Sequence, residues 1–217
     1  MKGLLRKELK LAVSPLSWLF LAASLMTLLP GYPILVGTFL VCQGLFQSFL
    51  NAREANDVLY TVLLPVRKGD FVRAKYAVVA FFEALAFAIM AILTAVRMTA
   101  MAGLAPYAQN ALMNANLVYL MFVLLIFALF NAVFVGGFFR TAYNTGRPFI
   151  IFLILAFALI IIAEALHHIP GLGFLNDGLD GDMAAQWIAL AVGAAAWLVV
   201  TTLSCRASVR RFESIDL

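Results

Sequence analysis

Residues Leu11–Ala52 read LAVSPLSWLFLAASLMTLLPGYPILVGTFLVCQGLFQSFLNA, 42 positions without an Asp, Glu, Lys or Arg. About 20 helical residues cross a bilayer, so a run of this length holds two crossings. Leu29-Pro30-Gly31-Tyr32-Pro33 divides it, because two prolines and a glycine make a tight turn. The run therefore predicts a helical hairpin, Leu11–Leu29 and Pro33–Leu50. A second charge-free run, Met98–Phe139, carries Pro106, Gln109, Asn110, Asn114 and Asn116 in its first half. That half reads as an outer loop or interfacial segment, with a span at Leu117–Phe139 behind it. Three further spans are expected at Tyr76–Val96, with Asp70 as N-cap, at Pro148–Leu166, with proline at the first helical position, and at Ala184–Cys205. The fold class is all-α, a polytopic membrane protein with six transmembrane helices.

Composition agrees. Only 26 of the 217 residues are charged and 65% are apolar, which excludes a soluble globular enzyme, a disordered chain and a disulfide scaffold. Cys42 lies in one apolar run and Cys205 ends another, as small buried hydrophobes do. No cleavage site follows the basic first ten residues, so the first span is expected to remain as an anchor.

Orientation follows from the cations. With a cytoplasmic N-terminus, fourteen of the fifteen Lys and Arg lie inside and only Arg97 outside. The outer loop between spans five and six carries Asp177, Asp180 and Asp182 instead. Both termini are then inside. The net charge of +4 marks this face and is no sign of nucleic-acid binding. The expected division is an amphipathic helix at residues 1–12 and one six-helix domain at 13–217, with a cytoplasmic loop at 51–75 and an outer loop at 167–183. In the first segment Lys2, Arg6 and Lys10 share one helical face and Leu4, Leu5, Leu9 and Ala12 gather opposite. An ordinary basic flank that only fixes topology is the other reading.

No phosphate-binding loop, Gly-x-Ser-x-Gly elbow, His-Glu-x-x-His pair or Cys-x-x-Cys is present, so no catalytic residue or bound cofactor is expected in this chain. Two acids fall inside spans. Glu83 lies about 12 Å in from Lys75 at about 1.5 Å per residue, and Glu164 lies near the outer face. Each is expected at a protein interface or wet cavity. Glu83 either meets a cationic part of a substrate or is hydrogen-bonded between helices, and Glu164 reads as snorkelling outward beside His168. His167, His168 and the Asp177–Asp182 turn lack a calcium-loop spacing and are expected to hold no metal.

The long inner loop places Val58, Leu59, Val62 and Leu63 at helical spacing between Glu54 and Leu64, stopped by Pro65. It suits docking to a cytoplasmic partner, or lying on the membrane with basic flanks on lipid phosphates. Glu54, Leu63-Leu64-Pro65-Val66-Arg67-Lys68 and Val72-x-x-Lys75-Tyr76 resemble the ABC-2 family of ABC transporter permeases. Within it, the chain looks most like the small phenol-soluble modulin exporter permeases.

The resemblance implies a type V exporter-like architecture in a bacterial cytoplasmic membrane. Residues 1–12 would be an elbow helix and Glu54–Leu64 the coupling helix, with Glu54, Asp57, Val58, Leu59, Val62, Leu63, Leu64, Pro65, Arg67 and Lys68 meeting the ATPase. Pro170-Gly171-Leu172-Gly173-Phe174 would break a re-entrant outer segment. A second permease chain, expected as a homodimer, and two separate ATPase subunits binding ATP and Mg would complete an exporter of an amphipathic peptide, lipid-like molecule or drug. The nineteen phenylalanines, mostly in the spans, would suit an interface or path for apolar or amphipathic cargo, and facing lipid is the commoner explanation for them. A membrane enzyme acting on lipid and a membrane immunity or scaffold protein are the competing readings.

Overall fold

A computed structural model describes residues 2–108, 110–141 and 144–214. Met1 of the N-terminal helix, Gln109 of the outer segment and residues 215–217 lie outside the described residues, and of Phe174 only the backbone is described. The described residues are helical, with no strands among them. The first helix, α1 (Lys2–Lys7), winds on as a π turn over Glu8–Ala12, and α2 (Pro15–Phe20) winds on as a 3-10 helix over Leu21–Leu28. They are followed by α3 (Leu35–Glu54), α4 (Asp57–Val62), α5 (Lys68–Thr99) and α6 (Ala105–Ala108). Then come α7 (Leu117–Phe138), α8 (Gly146–Leu166) and α9 (Met183–Glu213).

Five helices, α3, α5, α7, α8 and α9, are long and apolar enough to cross a membrane. The N-terminal pair, bent by 83° between Ala12 and Pro15, brings the number to six when counted as one crossing. Ser14 makes the bend, accepting the Leu16 N–H at 3.2 Å ahead of Pro15. The span expected at Leu11–Leu29 thus starts only at Pro15. Its eight 3-10 residues rise about 2.0 Å each, which stretches the short α2 unit to about 25 Å. Thr27 favours that tightening, its hydroxyl donating to the Ser24 carbonyl three residues back at 2.8 Å.

Glycine lets the predicted hairpin close. A Cβ at Gly44 would meet the Phe20 Cβ at 2.5 Å, and one at Gly37 the Ala23 carbonyl oxygen at 2.6 Å. Such close backbones are what small residues permit between membrane helices. Ser17 adds a bond to the Gly44 carbonyl at 2.6 Å.

The central helix is α7, in contact with α3, α5, α8 and α9. It shares a ring cluster with its neighbours, in which Phe46 of α3 stacks on Phe149 of α8 at 3.9 Å and Phe130 on Phe134 within α7 at 4.9 Å. Among the described residues thirteen phenylalanines are buried, which counts against the reading in which they face lipid. Exposed Ile and Leu of α8 and α9 cover the outside instead, among them Ile154, Ile161, Ile188 and Leu203.

Two boundaries also differ from the sequence reading. Helix α5 begins at Lys68, with Arg67 as its non-capping N-cap. Asp70 sits inside the first turn, paired with Arg73 at 3.2 Å, where a carboxylate still favours the helix dipole. Glu54 is the last residue of α3, so the short inner helix starts three residues later than expected.

Candidate functional site

At the end of the bundle that carries most of the cations, α3 hands over to α4 through Asn56, at φ 52° and ψ 30°. Asparagine tolerates this left-handed geometry better than most residues. The turn aims Asp57 at the N-terminal helix. There the Asp57 carboxylate pairs with the Lys7 ammonium and, at 3.6 Å, with Lys75 of α5. Glu8 pairs with the same two lysines, at 2.9 Å to Lys7 and 2.6 Å to Lys75. Lys7 also donates to the Thr61 hydroxyl at 2.8 Å, a second tie to α4.

Two cations and two anions thus alternate around one closed cluster. It is largely dry: the side chains of Glu8 and Lys75 are 1% and 6% exposed. Charges in such a place demand partners, because leaving one unpaired is costly. The cluster therefore fixes α4 against α1 and α5. Val58 and Thr61 turn inward, while Leu59, Tyr60, Leu63 and Leu64 remain exposed, Leu63 at 74%. Pro65 and Arg67 are exposed beside them, Val62 and Lys68 half-buried, and Glu54 is exposed at the end of α3. The coupling residues expected from the resemblance are thus split. Val58 and Asp57 anchor the helix, and the leucines face outward with Tyr60, which the sequence reading missed. It missed Lys7 and Glu8 as well.

A second polar cluster lies within the membrane-spanning region. Glu83 of α5 is buried, accepting the Trp197 indole N–H at 2.8 Å and the Asn131 amide at 2.9 Å on Oε2. The Asn131 amide also donates to Thr201 at 3.0 Å, and Tyr76 bonds Ser204 at 2.8 Å and Ser208 at 3.0 Å. Asn131 lies in a π segment of α7, Phe130–Val135, an insertion often found where a helix does something specific. The Asn131 carbonyl takes the Ser204 hydroxyl at 2.8 Å. Of the two readings for Glu83, the structure places it in a bond between helices α5, α7 and α9. Trp197 separates it from an apolar recess of about 330 Å³ lined by Phe87, Leu124, Leu190 and Leu198.

At the opposite end, Glu164 accepts the Met113 N–H at 2.8 Å. It fastens the outer segment to α8 instead of pairing with His168, whose ring packs on His167 at 4.0 Å. Arg97 donates to the Thr27 carbonyl at 2.8 Å and lies over Tyr107 at 4.8 Å. The expected re-entrant break holds one 3-10 turn, Gly173–Asn176. Among the described residues no three His, Cys, Asp or Glu side chains converge as a metal-ligand set.

Residues 3–213 match the family model described as ABC-2 family transporter protein. The chain belongs to the ABC-2 transporter family. Searches of curated proteins and of solved structures returned no match. An ABC-2 protein is the membrane-embedded component of a transport machine and is not itself catalytic. Membership implies an ABC ATPase as partner. The multi-pass helical architecture fits that role.

Proposed function

We propose that this ABC-2 chain is the permease subunit of an ATP-driven exporter in a bacterial cytoplasmic membrane, moving an amphipathic peptide, lipid-like molecule or drug outward. A second copy of the chain completes the path, and two separate ATPase subunits, which bind ATP and Mg, supply the energy. Helix α4 is the coupling element, and α1 is the elbow helix beside it. One observation carries this reading: the Lys7–Glu8–Asp57–Lys75 cluster holds α4 rigidly while Leu59, Tyr60, Leu63 and Leu64 project apolar surface. Exposed apolar side chains on a braced helix suit an apolar groove in a partner. The brace then transmits the partner's movement into α1 and α5 together. The resemblance to the short phenol-soluble modulin permeases is what favours an amphipathic cargo over a sugar polymer.

Co-purification tests the docking role. The chain is co-expressed with a candidate ABC ATPase from the same genome, and Leu59→Ser with Leu63→Ser is expected to abolish ATPase capture without lowering the yield of folded permease. Capture and stimulated ATP turnover that survive both changes would reject α4 as the coupling element. Export of candidate amphipathic peptides from vesicles, compared with polysaccharide and dye controls, tests the cargo.

A further inference from the structure

Where α7 ends and α8 begins, the chain forms an open recess of about 650 Å³ lined by Arg140, Arg147 and, from the last turn of α9, Arg211. None of the three is paired with a carboxylate among the described residues. Packing brings them together. A Cβ at Gly137 would meet Pro148 at 2.8 Å, so only glycine lets the end of α7 lie on the start of α8, which sets Arg140 and Arg147 around one space. Three guanidiniums with no carboxylate partner among the described residues repel one another, and an anion among them relieves that repulsion. Guanidinium forks match phosphate oxygens in pairs.

Thr141 and Asn144 add polar groups beside the arginines, and the remainder of the lining is apolar, with Val133 on α7 and Ile151 on α8. Ile151 is 43% exposed and Leu155, one turn further along the same face, is 42% exposed. The charged mouth therefore continues into an apolar ridge at the membrane surface. A free phosphate would fill only a small part of this volume and leave the ridge uncovered. We propose that Arg140, Arg147 and Arg211 bind the phosphate of an anionic phospholipid in the leaflet on the basic side, with an acyl chain lying on Val133 and Ile151. Basic pockets between membrane helices on that side suit such headgroups. The site is independent of the coupling assignment, since none of its residues belongs to the α4 cluster.

Native mass spectrometry of the full chain in detergent tests it. After delipidation the protein is titrated with phosphatidylglycerol, phosphatidylcholine, glycerol phosphate and inorganic phosphate. The expected result is retention of phosphatidylglycerol at least tenfold tighter than phosphatidylcholine, lost in the Arg140→Gln, Arg147→Gln, Arg211→Gln triple variant and weakened by salt. An Arg6→Gln, Lys10→Gln, Arg206→Gln variant removes three cations elsewhere and is expected to bind normally. Three single Arg→Gln variants, each checked for an unchanged melting temperature, carry the same reading if the triple variant unfolds. Equal retention of both lipids, or binding unchanged in the arginine variants, overturns the proposal. Inorganic phosphate or glycerol phosphate displacing the lipid at equal concentration reassigns the site to a free anion. ATPase capture that depends on the three arginines, with lipid retention that does not, gives the pocket to the partner.

Discussion

The indole N–H of Trp197 donates to Oε2 of Glu83 at 2.8 Å, joining α9 to α5. The Asn131 amide meets the same oxygen from α7 at 2.9 Å. Three helices of the bundle are therefore pinned at one atom. In a region without water each donor there has few alternative partners, which raises the cost of losing the acceptor.

Trp197→Phe removes one donor and keeps the ring packing. It is expected to lower stability in detergent by about 1–3 kcal/mol. Glu83→Gln keeps an acceptor of the same shape and is expected to lose less than half of that. Chemical denaturation of both variants makes the comparison. Equal losses would mean that the carboxylate charge matters more than the bond, and the pinning argument would fail.

Lys75 is the most buried cation of the cluster beneath α4, at 6% exposure, with Glu8 at 1%. Lys75→Met leaves Glu8 and Asp57 to share Lys7 alone, at an expected cost of about 3 kcal/mol. Adding Glu8→Gln removes the stranded charge, so the double variant is expected to be more stable than Lys75→Met. Denaturation of the four proteins gives the coupling energy directly. Additive losses would show that the four charges act separately.

The spans were legible because charge is so strongly excluded from hydrocarbon that two charge-free runs expose three of them and short apolar runs the rest. The four-charge cluster was not, because Lys7 and Asp57 are distant in sequence and only the hairpin between them brings them together. The α9 face of Glu83's cluster left a readable trace: Trp197, Thr201, Ser204 and Ser208 recur every three or four residues. The π segment that presents Asn131 leaves no comparable trace, since one extra residue in a turn does not alter an all-apolar pattern. The bend at Ser14 lies inside an uncharged, apolar run, so charge exclusion alone does not mark the start of the first span at Pro15. Phenylalanine burial was hidden too, because lipid and a helix core are equally apolar and periodicity cannot separate them.

Gly44 offers a test of the α2–α3 hairpin. A methyl group there would reach within 2.5 Å of the Phe20 Cβ, a backbone-linked atom that cannot swing aside. Gly44→Ala is expected to cost about 1–3 kcal/mol through overpacking. Gly3→Ala, where nothing lies within 4 Å, is expected to be neutral or slightly stabilising, as alanine in a helix usually is. Thermal unfolding of both variants checks the contrast, and similar behaviour would contradict the close packing.

Sidedness can be read with single cysteines. Cys42 and Cys205 are both free thiols, so a background with both changed to Ala is needed first. Leu63 at the basic end and Leu179 at the opposite end are 74% and 49% exposed. In whole cells a membrane-impermeant maleimide is expected to label Leu179→Cys but not Leu63→Cys. Permeabilised cells or inverted vesicles are expected to expose Leu63→Cys. The reasoning is electrostatic: an excess of Lys and Arg keeps a loop on the cytoplasmic side during insertion, and α4 lies among them. Labelling of Leu63→Cys in intact cells would place α4 outside, where no ATP-driven partner could reach it, and the coupling reading would fall with the topology.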